Sequence, residues 1–245
     1  MNVEIFENIR FGICALGYFS QKPTKEKIAQ MVADFKIIGT GFLVDDGIVI
    51  TNRHVIKKLK EIQKKKRIPK KQVFLEFVDR VPKKANQWST SFCRLDIISH
   101  SDDPDLDIGL ISVRGGKDDP SLKIKTLKIK KDYSIFVGQE IGVSGYAYGQ
   151  ELLSREGVTY RFGPILQQGY VSAIAPFDGA GGVREILLDI RTAPGMSGSP
   201  VFRKFDGAVI GIHHKGIDPV TQFAIPLDPE KVKEWIKKHK SKMKY

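Results

Sequence analysis

The sequence predicts an all-β protein of two six-stranded antiparallel β-barrels closed by a C-terminal helix. Three observations carry this. Twenty-three glycines and twelve prolines are spread through short apolar runs, which favours many strands joined by turns over a helical bundle. Residues 37–44 and 48–51 are two β-branched runs joined by Asp45-Asp46-Gly47, a strong hairpin signal. About six short runs of this kind fall in each half of the chain, separated by a Gly-, Lys- and Asp-rich connection. The expected division is a first barrel over residues 1–115, a linker over 116–132, a second barrel over 133–228, and a helix with a tail over 229–245.

In chain order, residues 10–18 read as the first strand and residues 24–33 as a short helical insertion. The hairpin of residues 37–51 delivers Asn52-Arg53-His54-Val55, and Val55, Leu59 and Ile62 then recur at helical spacing. Residues 73–78 and 89–99 are strands. The acidic turn Asp102 to Asp107 feeds the apolar run 108–113, which sets the Asp107 carboxylate at the edge of the core. In the second half, strands are expected at residues 135–137, 141–146, 165–174, 185–191, 201–202, 208–213 and 221–225. Asp228 as N-cap, Pro229 as first helical residue, and Val232, Trp235 and Ile236 on one face predict a closing helix that packs on the body.

Composition narrows the function. The 41% hydrophobic and 28% charged residues are ordinary for a globular protein. Cys14 and Cys93 alone cannot form a disulfide framework, and two reduced buried thiols are expected. The amino terminus is acidic without a basic leader, and no run reaches the roughly 18 to 20 apolar residues of a membrane helix. A cytoplasmic protein without membrane partners is the expectation. The net charge of +12 concentrates between Lys57 and Lys71 and favours acidic partners. Nucleic acid is the alternative partner there, although no aromatic residues are interleaved to stack bases and no nucleic-acid-binding motif is present. Asp103, Asp105 and Asp107 have the spacing of a calcium loop, but Ile108 stands where its glycine belongs and Arg114 where its glutamate belongs. No metal and no cofactor are expected.

The chemistry-bearing stretch is Gly195-Met196-Ser197-Gly198-Ser199-Pro200, a serine on a tight glycine turn between strand runs. By itself such a turn reads as a hairpin connection, and His54 by itself as a structural residue. Together with Asp107 they form the order His, Asp, Ser, each at the end of a β segment.

That order and spacing resemble the trypsin-like serine proteases. Gly39-Thr40-Gly41-Phe42-Leu43-Val44, Thr51-Asn52-Arg53-His54-Val55, Asp107-Ile108-Gly109-Leu110, the serine turn, Val209-Ile210-Gly211-Ile212 and Phe223-Ala224-Ile225-Pro226 resemble the HtrA (Deg) type of that superfamily, here without PDZ domains. The resemblance implies a chymotrypsin-like fold and a serine endopeptidase acting on protein or peptide substrates through an acyl-enzyme. His54 would be the general base and Asp107 its orienting carboxylate, with Ser197 the nucleophile and the Gly195 and Ser197 amides the oxyanion hole. Met196 stands where digestive relatives keep an aspartate, so activation by an inserted amino terminus is not expected.

In this fold the residues before the nucleophile and the strand after it line the specificity pocket, which makes Arg191, Thr192, Ile212 and His213 the candidates. Ile210-Gly211-Ile212-His213 also resembles glutamyl endopeptidases, whose equivalent histidine meets a substrate glutamate. With Arg191 nearby, cleavage after acidic residues is the expectation, against a small aliphatic pocket. The alternative function is a catalytically silent scaffold that binds peptides, or acidic partners through its basic segment. An α/β-hydrolase is excluded by Ser199 at the elbow's last glycine position and by the early histidine.

Overall fold

The computed structural model describes residues 3–21, 34–45, 47–80, 88–100, 106–114, 125–129, 135–148, 154–155, 158–159, 163–178, 181–217 and 221–240. The expected insertion at residues 24–33 and most of the expected linker lie outside them. Helix α1 (Val3–Phe11) opens the chain. Strands β1 (Ile13–Phe19), β2 (Phe35–Asp45), β3 (Ile48–Thr51), β4 (Val73–Arg80), β5 (Trp88–His100) and β6 (Gly109–Arg114) close into a barrel in the order β1-β2-β3-β6-β5-β4. Helix α2 (Arg53–Lys66) leaves the end of β3.

The second barrel uses β7 (Glu140–Gly145), β10 (Ile165–Ala175), β11 (Glu185–Asp189), β12 (Pro200–Arg203), β13 (Val209–Ile217) and β14 (Thr221–Pro226), in the order β10-β11-β14-β13-β12-β7. A two-stranded ladder, β8 (Ser154–Arg155) with β9 (Val158–Thr159), stands apart from it. Helix α3 (Pro229–Lys240) closes the described chain, and Asp228 Oδ1 accepts from the amides of Glu230 and Lys231 as a cap should.

Each barrel has its own apolar filling. Leu16, Val55, Leu75 and Ile111 are buried in the first, and Val143, Val171, Met196 and Ile210 in the second. A third cluster forms the seam, where Ile13, Phe42 and Leu110 meet Phe202, Val209 and Ile225. Ile9 of α1 and Val232 and Ile236 of α3 belong to it, so both terminal helices are held by the seam. Burying such apolar side chains stabilises by about 1.5–3 kcal/mol each, which is why the seam holds two barrels in one arrangement.

Two elements differ from the sequence reading. Residues 10–12 are not strand: the helix runs to Phe11, and Gly12 N–H bonds back to Ile9 O. Ile5 and Ile9, one turn apart, are its inward face, with Glu4 in the first turn and Arg10 in the last to suit the helix dipole. The run 135–137 is not strand either. Phe136 and Val137 are exposed, at 54% and 57%, and lie in a turn closed by Gln139 N–H to Phe136 O over Gly138 at φ 86°. Among the described residues, these three apolar residues before the glycine pair with no strand.

Candidate active site

The site lies on the seam, where three chain ends converge. His54 is the second residue of α2, directly after Thr51 ends β3 and the buried Asn52 turns the chain. Val55, Ile56 and Leu59 bury the inner face of α2. This fixes the helix start, while Lys57, Lys58, Lys60, Lys64, Lys65 and Lys66 form a solvent-exposed outer face. Asp107 stands just before β6, and Asn52 Nδ2 donates to its carbonyl oxygen at 3.0 Å.

The Asp107 carboxylate grips His54 twice. Oδ1 accepts from the His54 main-chain amide at 2.8 Å, and Oδ2 lies 2.5 Å from Nδ1 of the ring. Burial by itself would raise the Asp107 pKa; the ring and amide hydrogen bonds and the charge of His54 outweigh it and hold the carboxyl below its usual value. Asp107 is mostly covered, whereas the His54 side chain is 44% exposed and leaves the far side of its ring toward solvent.

The turn carrying Ser197 is fixed from both barrels. Met196 N–H bonds to Ala193 O at 3.1 Å across Pro194 and Gly195, and Gly195 has φ 98°, the arrangement of a type II turn with proline and glycine at its centre. The peptide between Pro194 and Gly195 is held by its carbonyl, which accepts from Tyr148 N–H at 2.6 Å. A peptide's N–H points opposite to its C=O, so the Gly195 amide is turned away from Tyr148. Among the described residues, neither this amide nor that of Ser197 donates to another group. Two amides in one turn are therefore left open to an incoming oxygen.

Thr40 of β2 ties the first barrel to this turn. Its amide donates to Ser197 O at 2.8 Å, its hydroxyl donates to Gly195 O at 2.8 Å and accepts from Tyr146 N–H at 3.0 Å, and its carbonyl accepts from Thr51 Oγ1 at 2.6 Å. The approach is so close at Gly198, at φ 90°, that a β-carbon there would strike Thr40 O and come within 2.6 Å of Thr51 Oγ1. Met196 is fully buried among Val143, Val201 and Ile210, so the turn is anchored by packing where an aspartate would need an ionic partner. Ser197 Oγ is not hydrogen-bonded to His54 in this free chain; such catalytic bonds often tighten only when substrate is bound.

The four pocket candidates separate. His213 adjoins the Ser197 turn on both edges, accepting from Gly198 N–H and donating to Ser199 O at 2.9 Å each. Its ring is buried, and desolvation lowers its pKa to about 4 against the opposing hydrogen bond of Gln222. Thr192 donates its hydroxyl to Gln222 Oε1. Ile212 is fully buried in the seam cluster, so its side chain is a core residue. Arg191 is exposed, just past β11.

His214 is largely buried, with Nε2 3.2 Å from Glu185 Oε1. Sequence reasoning missed Tyr148 and Gln222, which sit in no motif. Thr40 lies inside the quoted Gly-Thr-Gly motif without a role being assigned to it. Among the described residues no cluster suits a metal ion, and no helix is long and apolar enough to cross a membrane. Cys14 and Cys93 are buried and not joined in a disulfide, as expected.

Comparison with known proteins agrees with this fold. A crystal structure of Deg5 superposes with a TM-score of 0.59 at 20% identity, over 96% of this chain and 93% of that one, a likeness of fold. A sequence search of curated proteins gave no match. The family model described as "Trypsin-like peptidase domain" matches residues 39–212, which span β2 to β13 and hold His54, Asp107 and Ser197. The chain belongs to the trypsin-like peptidase family of serine proteases.

Proposed function

We propose that this protein is a serine endopeptidase in which Ser197, His54 and Asp107 act as one unit. Ser197 Oγ attacks the scissile carbonyl carbon while the His54 ring takes its proton. The Asp107 carboxylate, bonded to Nδ1, holds the tautomer that leaves Nε2 free as the base and stabilises the imidazolium that forms. The new oxyanion is met by the amides of Gly195 and Ser197. Collapse breaks the C–N bond, His54 returns the proton to the leaving amine, and water then hydrolyses the acyl-enzyme by the same route.

The observation that carries this reading is the double bond of Asp107 to His54, ring and amide, beside a turn whose two amides are unoccupied. Substrates are proteins or peptides, as the family implies. The acidic preference expected from Arg191 and His213 would draw on an exposed Arg191 just past β11. His213 remains as a polar group beside the nucleophile turn, and it is engaged by Gln222.

Labelling with a fluorophosphonate probe tests the reading. The wild-type protein labels and Ser197→Ala does not, and peptide hydrolysis by the variant falls by about 10⁴ to 10⁶. A folded wild-type protein without Ser197-dependent labelling would establish the silent scaffold instead.

A further inference from the structure

Beside Ser197, the ladder of β13 with β14 presents a wall on which Thr192, His213 and Gln222 share one hydrogen-bonded network. Gln222 Oε1 accepts from Thr192 Oγ1 and lies 3.2 Å from His213 Nε2. Gln222 is the strand partner of Gly216, and its amide fills the space a side chain on residue 216 would take: a β-carbon there would fall 2.8 Å from Gln222 Nε2 and closer still to Oε1. The amide thus crosses from β14 over the Gly216 main chain to the residues flanking the nucleophile turn. It is closed in, with Gln222 5% and His213 3% exposed.

We propose that Gln222 is a specificity-determining residue that closes the base of the substrate pocket, so that cleavage follows small uncharged side chains and removing the amide opens the pocket to glutamine and glutamate. The proposal rests on the serine endopeptidase reading. A long substrate side chain must displace the amide and break both of its hydrogen bonds, whereas a small one leaves them intact. A carboxylate is opposed further, because among the described residues no cation is enclosed beside the amide. Arg191 is exposed, His213 is buried and neutral near pH 7, and Lys215 is paired with Glu185 at 3.0 Å. Without Gln222, the His213 ring and the Thr192 hydroxyl become donors for the end of a longer side chain.

The test is kcat/KM on peptides that differ only in the residue before the scissile bond, carrying alanine, threonine, glutamine or glutamate there. Wild-type protein favours alanine and threonine over glutamate by about ten-fold or more. Gln222→Ala raises the glutamine and glutamate peptides about ten-fold, and His213→Leu added to it abolishes that gain. Gln222→Ser serves if the alanine variant does not fold. Binding of peptides ending in alanine or glutamate to Ser197→Ala protein gives the same ranking without catalysis. A protein lacking Ser197-dependent labelling would therefore sink the endopeptidase reading and leave the pocket still measurable. Glutamate as the best wild-type residue, or an unchanged ranking in a folded Gln222 variant, would overturn the proposal.

Discussion

Replacing Tyr148 separates the direction of the Gly195 amide from every side chain of the site. Tyr148 has φ 55°, is half exposed at its side chain, and contributes the main-chain N–H that holds Pro194 O at 2.6 Å. Tyr148→Gly keeps that N–H and favours the left-handed backbone. Tyr148→Pro removes the N–H and forbids the positive φ. Losing one hydrogen bond, worth about 1 kcal/mol, changes the balance between the two orientations of the Pro194–Gly195 peptide by about five-fold.

Complete reversal of that peptide removes an oxyanion donor, which costs about 10² to 10³ in kcat. The proline variant is therefore expected to lose up to about five-fold from the hydrogen bond alone and up to about 10³-fold where the peptide reverses completely, mainly in kcat, while the glycine variant stays within about two-fold of wild type. The assay is steady-state peptide hydrolysis paired with the rate of fluorophosphonate labelling, with thermal melting to establish that both variants fold. Equal rates for a folded proline variant and the glycine variant would refute the reasoning, since the turn would then hold its orientation without Tyr148.

Asp107→Asn is expected to lower kcat by about 10⁴ with little change in KM, because the amide favours the wrong His54 tautomer. The depressed pKa of Asp107 gives stability that is present above its unfolded value, near 3.9, and is lost as pH falls through the lower folded value; the asparagine variant should lack this acid loss in urea titrations. His213 acts at higher pH. Its folded pKa of about 4 lies below the ordinary 6.5, so the unfolded chain binds the extra proton between them, and stability present above pH 6.5 falls by about 3 kcal/mol toward pH 4. His213→Gln should flatten that slope in urea midpoints measured from pH 7 to 4. Gly198→Ala, with its β-carbon driven against Thr40 and φ at 90°, should destabilise by about 3 kcal/mol or more in denaturant unfolding and abolish labelling.

The barrels and the outline of the site were legible because their signals are local. Alternation and turn chemistry marked the hairpin before His54, the apolar run of β6 behind Asp107 and the glycine turn around Ser197. Each of these fixes where a side chain sits relative to a strand end. The same locality explains the errors. The apolar run of β1 was extended backward over the last residues of α1, whose Ile5 and Ile9 are too few to announce a helix by period. The run 135–137 looked like a strand because nothing local says whether a partner strand exists.

What the sequence determined by itself was the set of groups available: a serine, a histidine, a carboxylate, and a turn with glycines at its two positions of positive φ. Only the tertiary structure decided how those groups are held. Thr40 reaches the Ser197 turn across 155 residues of chain, Tyr148 sets the direction of a peptide far from it in sequence, and Gln222 joins Thr192 to His213. Hydrogen bonds of this kind depend on distances of about 3 Å between segments that no local pattern relates. They exist because two barrels packed on one apolar seam bring those segments together.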